Sequence, residues 1–90
     1  MQVTVNYFAQ LKRAAGVGSE AVAPAPGCTL TQLVVQLAAN HGNAFRAIVL
    51  DVNDQPQRAL LYAVGDVQAD LNRELRDGDI VTILAPMAGG

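Results

Sequence analysis

The stretch Thr29-Leu30-Thr31-Gln32 constrains this chain more than any other. A threonine followed three positions later by glutamine, just ahead of an apolar run, is a capping box. The hydroxyl and the side-chain amide each satisfy a backbone group left over at a helix start. Leu30, Leu33, Val34, Leu37 and Ala38 then recur at i, i+3, i+4, i+7 and i+8, which makes one apolar stripe. Asn40-His41-Gly42 closes the helix, with Gly42 suited to the left-handed C′ position. A helix with a single stripe must cover one face of a sheet.

The rest of the chain reads as that sheet. Val3, Val5 and Tyr7 alternate with Gln2, Thr4 and Asn6, the period of a half-buried strand. Leu11 to Gly16 reads as a short helical turn or loop, and Glu20 to Ala23 as a second strand antiparallel to the first, ended by Pro24 and Pro26. Ala47 to Val52 reads as a short strand or extended segment, with a surface turn at Asn53-Asp54-Gln55-Pro56. Ala59 to Val64 is a stronger strand, and Gly65-Asp66 a tight turn into Val67-Gln68-Ala69. Asp70 to Arg76 is a polar connector anchored by Leu71 and Leu75. Asp77-Gly78 is a strong turn signal, and Ile80 to Leu84 is the final apolar strand. These elements predict an α+β domain over residues 1–90: a mixed sheet with one main helix on one face.

The chain then ends Pro86-Met87-Ala88-Gly89-Gly90. Proline cannot donate to a sheet ladder, so pairing is expected to stop there. Extended, a five-residue tail spans about 17 Å, enough to enter a partner's channel. Two glycines without β-carbons let channel walls approach the backbone closely. The terminal carboxylate of Gly90 is the candidate reactive group. It is ionised and inert at neutral pH, so it needs activation as an adenylate or similar ester.

Side-chain chemistry is thin by comparison. Cys28 is the one cysteine, which rules out an internal disulfide and a multi-cysteine metal site. No base stands at a readable spacing from it, and a small structural cysteine is the plainer reading. His41, at a helix C-terminus, is read as structural. Ser19 has no Gly-x-Ser-x-Gly context, and Gly16-Val17-Gly18 lacks the Gly-Lys-Ser/Thr of a phosphate loop, so it reads as a turn. The net charge of −2 argues against nucleic acid. No run approaches the ~18 apolar residues of a membrane span, and the N-terminus is not that of a signal peptide. A cytoplasmic setting is expected, with no metal and no cofactor bound by the chain itself.

The chain resembles the β-grasp, ubiquitin-like sulfur carriers of the MoaD/ThiS type. The resemblance rests on Val3-Thr4-Val5-Asn6-Tyr7-Phe8-Ala9-Gln10-Leu11 with Gly16, on the capped helix from Thr29, and on Leu75 to Val81 continuing through Pro86 to Gly89-Gly90. It implies a carrier that is not catalytic alone. A ubiquitin-activating-like adenylyltransferase would use ATP to adenylate Gly90, and sulfur from a persulfide donor would replace AMP to leave a thiocarboxylate. The thioacid would then serve an acceptor enzyme. The start of the chain and its length are most similar to the small subunit of molybdopterin synthase, whose acceptor is the large subunit. The Val81-Thr82-Ile83-Leu84 to Ala88-Gly89-Gly90 ending is also similar to cysteine-pathway carriers, and thiamine or tRNA thiolation stays open. A protein modifier is a further alternative, limited in chain building by the single lysine, Lys12.

On the last strand, Val81 and Ile83 share one face and Ile80, Thr82 and Leu84 the other. If the helix covers the first set, then Ile80 and Leu84, with Phe8, Pro86 and Met87, form an exposed apolar patch beside the tail. Such patches mark partner surfaces. Ala88 and Gly89 are expected to be gripped with them.

Overall fold

The computed structural model describes residues 1–85. The elements in order are β1 (Val3–Tyr7), α1 (Ala9–Ala15), β2 (Ser19–Val22), α2 (Leu30–His41), α3 (Asn43–Val49), β3 (Leu61–Val64), β4 (Val67–Gln68) and β5 (Ile80–Leu84). The strands form a mixed sheet in the order β2-β1-β5-β3-β4. The first and last strands are therefore central neighbours and run parallel, with Val5 opposite Val81 and Tyr7 opposite Ile83. β2 and β3 flank them antiparallel.

α2 begins as its sequence demands. The Thr29 hydroxyl accepts from the Gln32 backbone N–H, and the Gln32 side chain accepts from the Thr29 N–H at 2.9 Å. The next orphan donors are met from the connector. Leu30 N–H donates to the Arg73 carbonyl at 2.9 Å, and Thr31 N–H to the Leu71 carbonyl at 3.0 Å. The irregular 70–76 segment thus acts as an external cap, with Leu75 buried as its anchor.

The stripe of α2 is fully buried against the inner sheet face, where Val3, Val5, Tyr7, Tyr62, Val64, Val81 and Ile83 meet Leu30, Leu33, Val34, Leu37 and Ala38. The Asp77-Gly78 turn ties the start of β5 to the N-terminus. Gly78, at φ +86°, donates to the Gln2 carbonyl at 2.7 Å, and Gln2 N–H donates to Asp77 Oδ1 at 2.8 Å.

One reading is overturned. The segment expected to be a short strand or extended chain over Ala47 to Val52 is helix in its first half, where Ala47, Ile48 and Val49 complete α3; Leu50 is extended and makes a single bridge, to Pro56. The β-branched run suggested extended chain, but Phe45 and Val49 are spaced i, i+4 and both are buried in the core. Burial of that pair outweighs the weak local preference for a strand. Gly42 shows the same shift. Its φ of +87° fits glycine, but its ψ of −168° is not the left-handed helical value, and its carbonyl accepts the Arg46 N–H at 3.0 Å. It closes α2 and opens α3 at once, leaving no intervening loop.

Candidate functional site

The alternation on β5 resolves as expected from its register. Val81 and Ile83 face the helices and are fully buried, whereas Ile80, Thr82 and Leu84 face away. Among the described residues no helix covers that outer face. Its rows follow from the pairing: Leu61 stands opposite Leu84, Ala63 opposite Thr82, Asn6 on the other side of Thr82, and Thr4 opposite Ile80. Ala21 and Ser19 extend the face through β2, and Gln68 through β4. Every residue of that set is uncharged.

The large apolar members lie open to solvent: Phe8 is 50% exposed, Leu61 53%, Ile80 48% and Leu84 40%. Tyr7 pairs with Ile83, so the next step along each parallel strand brings Phe8 alongside Leu84. Phe8, Leu84 and Leu61 therefore form one row at the end of β5 from which the chain continues into residues 86–90. Ile80 lies on the same face about 13 Å further back, four residues at roughly 3.3 Å each. The backbone holds Phe8 in this row by a sharp turn. Phe8 is extended, and the following Ala9 takes φ +50°, a left-handed value uncommon for alanine. The Phe8 carbonyl then accepts from Leu11 N–H at 3.1 Å and Lys12 N–H at 3.3 Å, which starts α1.

Phe8, Ile80 and Leu84 are thus placed on one exposed face. Pro86, Met87, Ala88, Gly89 and Gly90 lie outside the described residues. Leu61 was not anticipated. It sits in the continuous run Ala59 to Val64, where every residue is apolar or aromatic and no alternation reveals the phase. Only the pairing of Tyr62 with Ile83 sets Leu61 outward.

The other nucleophile and base candidates are structural. His41 Nε2 pairs with Glu20 Oε2, and its ring meets Tyr7 edge-on at 5.8 Å and Phe45 at 4.7 Å. The Tyr7 hydroxyl donates to the same Glu20 oxygen at 2.6 Å. Burial first, and then that bond to a carboxylate, raise the Tyr7 phenol far above its ordinary range. The cluster fastens β2 to the end of α2. Cys28 is buried, its thiol donates to the Thr29 carbonyl at 3.3 Å, and burial pushes its pKa up, which disfavours the nucleophilic thiolate. Gly16, at φ +79°, caps α1, and its N–H donates to the Lys12 carbonyl at 2.9 Å, so Gly16-Val17-Gly18 is a turn. Among the described residues no group of His, Cys, Asp and Glu could hold a metal ion, and no helix is long and apolar enough to cross a membrane.

Comparison with known proteins defines the class and then the family. The architecture is the β-grasp, ubiquitin-like fold: the chain superposes on SAMP1 from Haloferax volcanii with a TM-score of 0.90, covering 100% of both chains at 20% identity. The chain belongs to the ThiS family, whose model matches residues 5–90. It is 28% identical over 92 residues, 100% of each protein, to the molybdopterin synthase sulfur carrier subunit of Chlamydomonas reinhardtii. It also resembles the Amycolatopsis orientalis BexX/CysO complex, at 27% identity and a TM-score of 0.66, covering 98% of this chain and 99% of the matched one.

Proposed function

We propose that this chain is a sulfur carrier. The Gly90 carboxylate is adenylated by an ATP-using, ubiquitin-activating-like partner, and sulfur from a persulfide donor then replaces AMP to give a thiocarboxylate. The pathway proposed is molybdenum cofactor biosynthesis, with this chain as the small subunit of molybdopterin synthase and the large subunit as acceptor. The single observation that carries the reading is the ThiS-family match, which runs through the Gly89-Gly90 ending. The full-length likeness to the Chlamydomonas reinhardtii sulfur carrier subunit favours the molybdopterin pathway over the others.

The geometry gives each part a task. On this reading the partner supplies the ATP chemistry and this protein supplies an acyl group. The uncharged row of Phe8, Leu84 and Leu61 stands where the strand leads toward that acyl group. Burying such residues against a partner releases roughly 25 cal/mol per Å² of apolar surface. With no charge to desolvate, little of that gain is lost. Pro86, Met87, Ala88 and Gly89 are then the slim connection held in the partner's channel.

A second reading rests on the likeness to the BexX/CysO complex, in which a CysO protein accompanies another partner. On that reading the thiocarboxylate is the same and the acceptor differs. Reconstitution separates them: the thiocarboxylated chain mixed with a molybdopterin synthase large subunit should restore molybdopterin formation. Failure there, with sulfur delivered to an acceptor of another pathway, would reassign the pathway and keep the carrier.

A further inference from the structure

The two margins of the sheet differ. β4, at one margin, is two residues long, with Asp66 just before it and Asp70 just after. Shortness and charge protect an edge from pairing with another chain. β2, at the other margin, is four residues long, and Ser19, Ala21 and the following Ala23 are exposed and uncharged. The register says which backbone groups this margin offers. Tyr7 N–H donates to the Gly18 carbonyl at 2.8 Å, so Gly18, Glu20 and Val22 turn their backbone groups toward β1. Thr4 N–H points the other way, to the Asp79 carbonyl at 3.0 Å. Ser19 and Ala21 therefore turn both N–H and C=O out of the sheet, and among the described residues those groups have no partner. The single charge on β2 does not guard the edge. Glu20 points to the inner face, where the Tyr7 hydroxyl and His41 hold it and so fix the strand in place. Lys12 lies against Gly18, and Pro24 has no N–H, so the open segment is residues 19–23, with Ala21 at its midpoint.

We propose that β2 is a self-association edge, on which a second copy of this chain pairs antiparallel about a two-fold axis at Ala21. Symmetric registers that join the outward-facing groups place the axis at Ser19, Glu20 or Ala21. An axis at Glu20 sets two carboxylates directly opposite each other, which is destabilising. An axis at Ser19 runs each copy into the Gly16-Val17-Gly18 turn. An axis at Ala21 lets Ala21 exchange two hydrogen bonds with its counterpart and sets Ser19 opposite Ala23. Each Glu20 then faces Val22 of the other copy rather than a second carboxylate. The product is one continuous sheet whose outer face stays uncharged across the axis, since Ser19, Ala21, Thr4 and Asn6 line it on both sides. Leu84 lies two strands from the axis, about 10 Å away, so the row it forms with Phe8 and Leu61 stays free in each copy. The inference does not depend on the chemistry at Gly90. A four-residue edge makes a small interface, so the dimer is weak, with a Kd on the order of 0.1 mM.

Sedimentation equilibrium of the full chain from about 10 µM to about 1 mM, a tenfold margin on either side of that Kd, tests the proposal. The expected result is mostly monomer at the low end and mostly dimer at the high end. Ala21→Pro removes an outward N–H and no bond of the β1–β2 ladder, so it should keep the fold and weaken the dimer at least about tenfold. Ala21→Lys places a charge on the edge and should do the same, which covers the case in which proline disturbs the strand. The axis is read by cross-linking with copper phenanthroline, with Cys28 buried and out of reach. Ala21→Cys should give a disulfide-linked dimer, because paired Cα atoms there stand about 5.5 Å apart. Ser19→Cys should not, because the two positions are about 14 Å apart. A monomer at every concentration, a dimer indifferent to both Ala21→Pro and Ala21→Lys, or cross-linking through Ser19→Cys in place of Ala21→Cys would each overturn the proposal.

Discussion

Replacing Leu84 by aspartate tests the outer face most sharply. Full burial of a leucine side chain contributes about 1.5–3 kcal/mol, and Leu84 retains 40% of its surface in the free chain. The part left to bury against a partner is therefore worth about 1 kcal/mol. Aspartate adds the penalty of an unpaired carboxylate in a dry interface, on the order of 3 kcal/mol. The sum of about 4 kcal/mol is roughly a thousandfold in Kd. The free domain should lose less than about 1 kcal/mol, because the site faces water. The assay is titration calorimetry of Leu84→Asp against the adenylyltransferase or the acceptor subunit, beside a urea melt of the same protein. Ile83→Ala is the contrast: one residue away but fully buried, it should cost about 2–5 kcal/mol of stability. Unchanged binding by Leu84→Asp would refute the assignment of this face to a partner. Unfolding of that variant would refute the reading of the face as free surface.

Two further outcomes concern stability. Thr29→Ala removes the hydroxyl that accepts from Gln32 N–H and should cost about 1 kcal/mol, read as a Tm lower by about 4–8 °C. Tyr62 is buried, its hydroxyl donates to the Gln57 carbonyl at 2.8 Å, and burial pushes its pKa up from 10.0 to about 12. The folded pKa exceeds the unfolded one, so the associated stability is whole below pH 10 and is lost as pH rises from 10 to about 12. The loss amounts to about 3 kcal/mol. The Tyr7 phenol is shifted the same way, so it adds to alkaline unfolding. Tyr62→Phe should flatten urea-determined stability across that window, and an unaltered slope would contradict the assignment.

Much of the fold was legible because local signals and tertiary packing agreed. The capping box at Thr29, the stripe from Leu30 to Ala38, the alternation of Val3, Val5 and Tyr7, and the Asp77-Gly78 turn each survive in the structure. The start of Ala47 to Val52 was misread because Ile48 and Val49 are β-branched while Phe45 and Val49 are helically spaced, and only the core beneath that pair selects the helix. The same limit applies at the candidate site. Ile80 and Leu84 could be assigned to one face from β5 alone, but their exposure depends on α2 and α3 covering the other face. Leu61 joins them through cross-strand pairing with Leu84, which no local pattern encodes. The chemistry proposed for Gly90 belongs to the backbone and needs no side-chain constellation.

The central claim is that Gly90 carries sulfur as a thiocarboxylate. It is tested most directly by the intact mass of this chain co-expressed with a ubiquitin-activating-like adenylyltransferase and a persulfide donor. The account predicts a gain equal to replacing one oxygen by sulfur, located at Gly90 and absent when Gly90 is deleted. An unchanged mass, in cells where a known carrier is thiocarboxylated by the same enzymes, would contradict it.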